Sequence, residues 1–149
     1  MTEAKKIKIA LIQQKSSKNR DENLRKGLVT LEKAARSGAN IVVFPELSFL
    51  PFLPQNPSEP GFEKLAETVP GPTCNLLAEK AREYGLVIVF NLPEKEGGKT
   101  YDASPVIDSD GKLIGVNRMV HVMEAPRFHE KGYDHPGDLG AGVFDTAAG

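Results

Sequence analysis

Glu46 follows the run Asn40-Ile41-Val42-Val43-Phe44-Pro45. The apolar residues read as a short buried strand that Pro45, lacking an N–H, brings to an end. Glu46 is thereby placed just past the carboxyl end of a strand, the edge where open α/β sheets gather ligands and catalytic groups. A carboxylate walled by Phe44, Leu47 and Phe49 has its charged form disfavoured by desolvation, which suits a general base. A second set of candidates is His121, His129 and His135 with Glu124, Glu130, Asp134 and Asp138, a density of nitrogen and oxygen ligands compatible with zinc or iron. Their spacings match no helical ligand pair, and hydrogen-bonded histidines on a polar loop are the commoner arrangement. Cys74 falls in the first turn of a predicted helix, where the dipole lowers a thiol pKa, although a lone helical cysteine more often packs.

The elements that must position these groups follow from periodicity. Ile7–Gln13 reads as a first strand, mostly buried on both faces. Asn19–Ser37 reads as a helix with Leu24, Leu28, Leu31 and Ala35 on its apolar face and Gly38 as its stop. The strand 40–44 follows at once, so the first three elements form a βαβ unit with parallel strands. Leu47–Pro70 carries five prolines that exclude a continuous helix. Gly71-Pro72-Thr73 opens a second helix with Leu76, Leu77, Ala81 and Tyr84 inward. It ends at Gly85, and Leu86–Phe90 is a third buried strand. Glu96-Gly97-Gly98-Lys99 is turn chemistry, and Tyr101–Ile107 and Lys112–Val116 flank Asp108-Ser109-Asp110-Gly111 as an antiparallel hairpin. Arg118–Gly137 is irregular, and Val143-Phe144-Asp145 begins a further strand. The fold class is α/β, a βαβαβ start continued by an antiparallel pair.

The 149 residues fit a single domain with a real core, and 40% hydrophobic and 26% charged residues are ordinary for a globular chain. A net charge of −1 and the lack of a basic stripe argue against nucleic-acid and anionic-membrane partners. No apolar run reaches membrane-spanning length, and the start Met1-Thr2-Glu3-Ala4-Lys5-Lys6 lacks a signal-peptide core. The lone cysteine excludes an internal disulfide and suits a reducing cytoplasm, the expected location.

Taken together, several stretches resemble the nitrilase, or carbon–nitrogen hydrolase, superfamily. They are Ile7–Gln13, Asn23 with its helix, Gly38–Leu47, Gly71-Pro72-Thr73 and Tyr101-Asp102-Ala103, followed by Val106–Gly115, Arg118, His121, Glu130-Lys131, Pro136-Gly137-Asp138 and Val143–Thr146. The resemblance implies an αββα sandwich, of which residues 1–149 form the N-terminal part as a truncated domain. It also implies hydrolysis of a small amide or nitrile by a Glu, a Lys and a Cys, with no cofactor and no metal. Glu46 matches the general base and Glu130 a second glutamate that hydrogen-bonds the pocket together, with Phe49 and Tyr101 expected on the substrate wall. In Arg118-Met119-Val120-His121 the lysine position holds Met119, which has no N–H and no charge, so that Lys131 or Arg118 would have to reach in. The family's cysteine lies beyond Gly149. Asp102 and Asn117 are milder departures, standing where the family often has asparagine and tyrosine. Glu46 is therefore expected to be largely buried beside Glu130 and Met119, in a chain inactive by itself. Two helices cover one sheet face only, so the expected partner is a second copy or a companion C-terminal chain. The alternative functions are a non-catalytic nitrilase-like binding or assembly module and a metal-binding domain.

Overall fold

The structure is a computed structural model and describes residues 6–149; the reading of Met1–Lys5 lies outside the described residues. The strands are β1 (Ile9–Leu11), β2 (Ile41–Val43), β3 (Val87–Val89), β4 (Leu92–Glu96), β5 (Lys99–Ile107), β6 (Leu113–Arg118), β7 (Glu124–Ala125) and β8 (Phe128–His129). The helices are α1 (Arg20–Arg36) and α2 (Pro72–Tyr84). β1, β2 and β3 are parallel, as the two crossovers demand, whereas β5 runs antiparallel to β3, β4 and β6. β3 and β4 lie end to end along one edge of β5, and β6 lies along the other, completing a six-stranded mixed sheet. Residues 47–70 form the long irregular segment, with short 3-10 turns at Leu53–Gln55 and Phe62–Leu65.

Local chemistry accounts for the element ends. The Asn19 side chain accepts the Glu22 N–H at 3.0 Å and caps α1, and Asp21 and Glu22 complement the dipole in its first turn. Pro72 opens α2, and Gly85 closes it in the left-handed conformation with φ 63°. Gly97 and Gly98 both have positive φ, the backbone that a two-residue hairpin turn between β4 and β5 requires.

Both helices pack on one face of the sheet. Leu31 of α1 and Leu77 of α2 are fully buried against Val42, Ile88, Phe90 and Ile107, each such side chain contributing about 1.5–3 kcal/mol. The buried stripe of α1 runs through Asn23, Gly27, Leu31 and Ala34, so Leu24, Leu28 and Ala35 are its half-buried flank rather than its centre. The opposite face carries Ile41, Val87, Val89, Val106 and Ile114. There the expectation for the first strand fails: Ile9 is 55% and Leu11 71% exposed, because β1 is the edge strand and its outward side chains have no layer over them.

Two further expectations change. β4 was not legible as a strand, because Pro93 and two glutamates break its apolar pattern; it pairs with β5 through its register from Leu92↔Ala103 to Glu96↔Lys99. Val143-Phe144-Asp145 forms no strand. Phe144 sits over Gly115, where a Cβ would collide with its ring, and Ala148 is buried against Val87 and Val106. The Ala147 N–H donates to Asp108 Oδ1 at 3.0 Å, so a side chain takes the place of a ladder partner. Among the described residues no helix is long and apolar enough to cross a membrane.

Candidate active site

Alternation along β5 decides what can meet Glu46. Ala103 and Ile107 point to the helix side, which leaves Asp102, Ser104 and Val106 on the open face. Glu46, one residue past Pro45 at the carboxyl end of β2, interacts directly with Asp102 there. Glu130 and Asp134 arrive from the 3-10 turn Glu130–Gly132 and the residues after it. Glu130 is buried, and its Oε2 accepts the Met123 N–H at 2.7 Å. Its carbonyl accepts the Asp134 N–H at 2.8 Å, which ties the two acids together through the backbone. Met119 is half-buried, donates its N–H to the Asp102 carbonyl at 2.9 Å and accepts from Gly137 at 2.8 Å. Residues far apart in sequence thus converge on one patch.

The patch is acidic throughout. Glu46 is pushed up to about 7 by loss of solvation, then by the charges of Asp102 and Glu130 and by its hydrogen bond with Asp102. It is nonetheless exposed rather than largely buried as expected. Asp134 is also pushed up to about 7, first by desolvation and then by Asp102, Glu130 and Glu46, and its Oδ1 is buried with no hydrogen-bond partner. Burial raises Asp102 as well, against the opposing effect of the Asn91 amide. Among the described residues no cation acts on any of these three carboxyls.

Of the two cationic candidates, Arg118 is engaged elsewhere. Arg118 is 3% exposed, and its guanidinium donates to Glu94 twice, at 2.7 and 2.9 Å, and to Glu96 and Asp138 at 2.7 Å each. It also lies 4.0 Å over the ring of Tyr101. Lys131 is exposed. Tyr101 belongs to this Arg118 cluster, its hydroxyl donating to Asp138 at 3.2 Å, and by alternation it faces away from Asp102. Phe49 is buried in the core with its ring 5.3 Å from Phe44, so it braces the turn behind Glu46 and forms no wall of the patch. Cys74 is buried in the helix-side core, its thiol pushed up chiefly by desolvation. The histidines separate: the His129 ring pairs with Glu124 at 2.8 Å, the backbone N–H of His135 donates to the Thr100 carbonyl at 2.8 Å, and His121 is exposed. Among the described residues no group of three or more His, Cys, Asp or Glu side chains is arranged to hold a metal ion.

Sequence reasoning missed Asn91. Its one signal is a polar residue between Phe90 and Leu92 in an otherwise apolar run. Its Oδ1 accepts the Leu47 N–H at 2.7 Å, and its Nδ2 donates to Asp102 Oδ1 at 2.6 Å and to Ser104 Oγ at 3.2 Å. Asn23, buried in α1, performs a parallel task by donating to the carbonyls of Ser17 and Phe49.

Comparison with known proteins gives the family and the fold. The family described as "Carbon-nitrogen hydrolase" matches residues 8–149. The chain is 34% identical to a citrullinase of Francisella tularensis, covering 94% of this chain and 49% of that protein. It is 32% identical to the omega-amidase NIT2-B of Xenopus laevis, covering 95% and 51%. Among solved structures, a carbon-nitrogen hydrolase from Helicobacter pylori G27 superposes with a TM-score of 0.87 at 27% identity, over 96% of this chain and 49% of that one. Nit3 of Saccharomyces cerevisiae, a nitrilase-superfamily member, gives 0.77 at 29% identity over 95% and 52%. The chain therefore spans about half the length of the relatives it matches. With a nitrilase-type mixed sheet and a family match over nearly all its residues, the chain belongs to the carbon–nitrogen hydrolase family.

Proposed function

We propose that this chain serves hydrolysis of a carbon–nitrogen bond in a small amide or nitrile and carries the acid–base part of the site. The observation that supports this most is the convergence of Glu46, Asp102, Glu130 and Met119 at the carboxyl end of the sheet. Glu46, held near neutrality, is matched to taking a proton from a nucleophile and returning it to a leaving amine. Glu130 orders the neighbouring backbone through the Met123 N–H. Met119 cannot steady a tetrahedral oxyanion, a loss of about 3 kcal/mol for one missing donor. The nucleophile and the cation must therefore come from residues other than those described. By analogy with the citrullinase and omega-amidase relatives, ureido and ω-amide compounds are the first substrates to test.

The exposed Ile9 and Leu11 on the open face favour a covering layer, either a second copy or a companion C-terminal chain. A cytoplasmic location is proposed from the single cysteine. A second reading, a non-catalytic family module used for binding or assembly, is favoured by Met119 and by the lack of any cation at the carboxyl patch among the described residues.

The chain is assayed alone and with the C-terminal half of a relative against small amides, ureido compounds and nitriles. No turnover alone, and Glu46-dependent turnover in the mixture, is expected for the first reading. No turnover in either, with stable association, selects the second. Turnover by the chain alone that Glu46→Gln abolishes would show the site to be complete and overturn the assignment of Met119 as a disabling substitution.

A further inference from the structure

Leu47, the residue after Glu46, has φ 45°, a left-handed backbone that a leucine adopts only when its surroundings impose it. Most of what imposes it passes through Asn91. Its side chain accepts the Leu47 N–H, its carbonyl accepts the Ser48 N–H at 3.1 Å, and its own N–H donates to Ser48 Oγ at 2.8 Å. Ser48 Oγ in turn donates to the Pro45 carbonyl at 2.8 Å, so the turn carrying Glu46 is hydrogen-bonded on both sides of the acid.

These contacts also orient the Asn91 amide. A backbone N–H can only donate, so the atom facing Leu47 is the amide oxygen, and the NH2 group must face Asp102. Asp102 Oδ1 is therefore an acceptor, at a short 2.6 Å. An acceptor held in this way favours the ionised form of Asp102, and the proton between the two carboxyls then belongs on Glu46.

We propose that Asn91 is a positioning residue that locks the Glu46 turn and, through its amide on Asp102, assigns the shared proton of the Glu46–Asp102 pair to Glu46. The charged groups facing Glu46 are Asp102 from β5 and Glu130 and Asp134 from the segment after β8, all carboxyls. No cation among the described residues faces the pair, and two carboxyls in contact repel when both are charged, so the titration is stepwise and belongs to the pair. The proposal rests on the reading of Glu46 as the acid–base group, yet its test needs no substrate. Failure of hydrolysis therefore counts against that reading alone, and failure of the titration against this one alone.

The test is carboxyl carbon-13 NMR titration of the chain, with the signals assigned by Glu46→Gln and Asp102→Asn. In the unsubstituted protein Asp102 should ionise before Glu46. In Asn91→Ser, which withdraws the amide from Asp102, the order should reverse and the Glu46 midpoint should fall by about one pH unit. Ser48→Ala removes two bonds of the same turn but leaves the amide on Asp102, and should keep the original order. Glu46 ionising first in the unsubstituted protein overturns the proposal, and this result is decisive even if Asn91→Ser does not fold. An unchanged order in a folded Asn91→Ser, or an equal shift in Ser48→Ala, also overturns it by reducing Asn91 to a general brace.

Discussion

Glu46→Gln should stabilise the folded chain, and only above acidic pH. In the folded state the Glu46 carboxyl is raised from an ordinary 4.5 to about 7. Below pH 4.5 both folded and unfolded chains hold the proton, so the acid makes no pH-dependent contribution. Between pH 4.5 and 7 the unfolded chain releases it while the folded chain retains it, so stability falls as pH rises, and above 7 the loss is complete. The gap is equivalent to about 3 kcal/mol at full strength. Glu46 is exposed, however, and solvent screening reduces the figure to about 1–2 kcal/mol. Glutamine keeps an N–H to donate to Asp102 and removes the charge, and it also relieves Asp134, which Glu46 helps to raise. Urea unfolding at fixed protein concentration, run at pH 4 and pH 8, measures this. The variant should match the parent at pH 4 and exceed it by about 1–2 kcal/mol at pH 8. An equal difference at both values, or destabilisation at pH 8, would refute the electrostatic picture of the patch.

Other perturbations have equally definite outcomes. Arg118→Met leaves Glu94 buried without its partner and should cost about 3–5 kcal/mol at neutral pH, with part of the loss recovered on acidification, as read by urea midpoints across pH. Asn23→Leu removes the donor to the Ser17 and Phe49 carbonyls inside the core and should cost about 2–4 kcal/mol by the same measurement. Gly115→Ala drives a methyl into the ring of Phe144, so limited proteolysis should cut residues 143–149 faster than in the parent while the helix-side core persists. Leu11→Lys on the open face should change stability by less than about 0.5 kcal/mol and lower the association seen in sedimentation equilibrium; unchanged association would place the covering layer elsewhere.

Much of this architecture is written locally. Asn19 as a cap, Pro72 after Gly71, Gly85 past α2 and the turn around Asp108–Gly111 are short-range signals whose physics is complete within a few residues, and each element they bound formed. The position of Glu46 at a strand end was legible for the same reason, since Pro45 stops a ladder whatever lies around it. The alternation that hides β4 was not legible, because Glu94 is buried only by virtue of Arg118, which comes from another strand.

What the chain alone determined, then, is the parallel start β1, α1, β2, α2 and β3 with the β5–β6 hairpin, the family resemblance, and the presence of a carboxylate just past the carboxyl end of β2. Tertiary structure alone decided that Asp134 joins Glu46 and Asp102, that Arg118 is turned to the opposite side of the sheet, that Tyr101 follows it, and that Phe144 covers Gly115 where a strand was expected. Helix caps and turns depend on backbone dihedrals and neighbours within a turn, so their energies are readable along the chain. The acidity of a carboxyl and the availability of an arginine depend on which distant groups are packed against them and on how much water remains, and those quantities exist only once the sheet has formed.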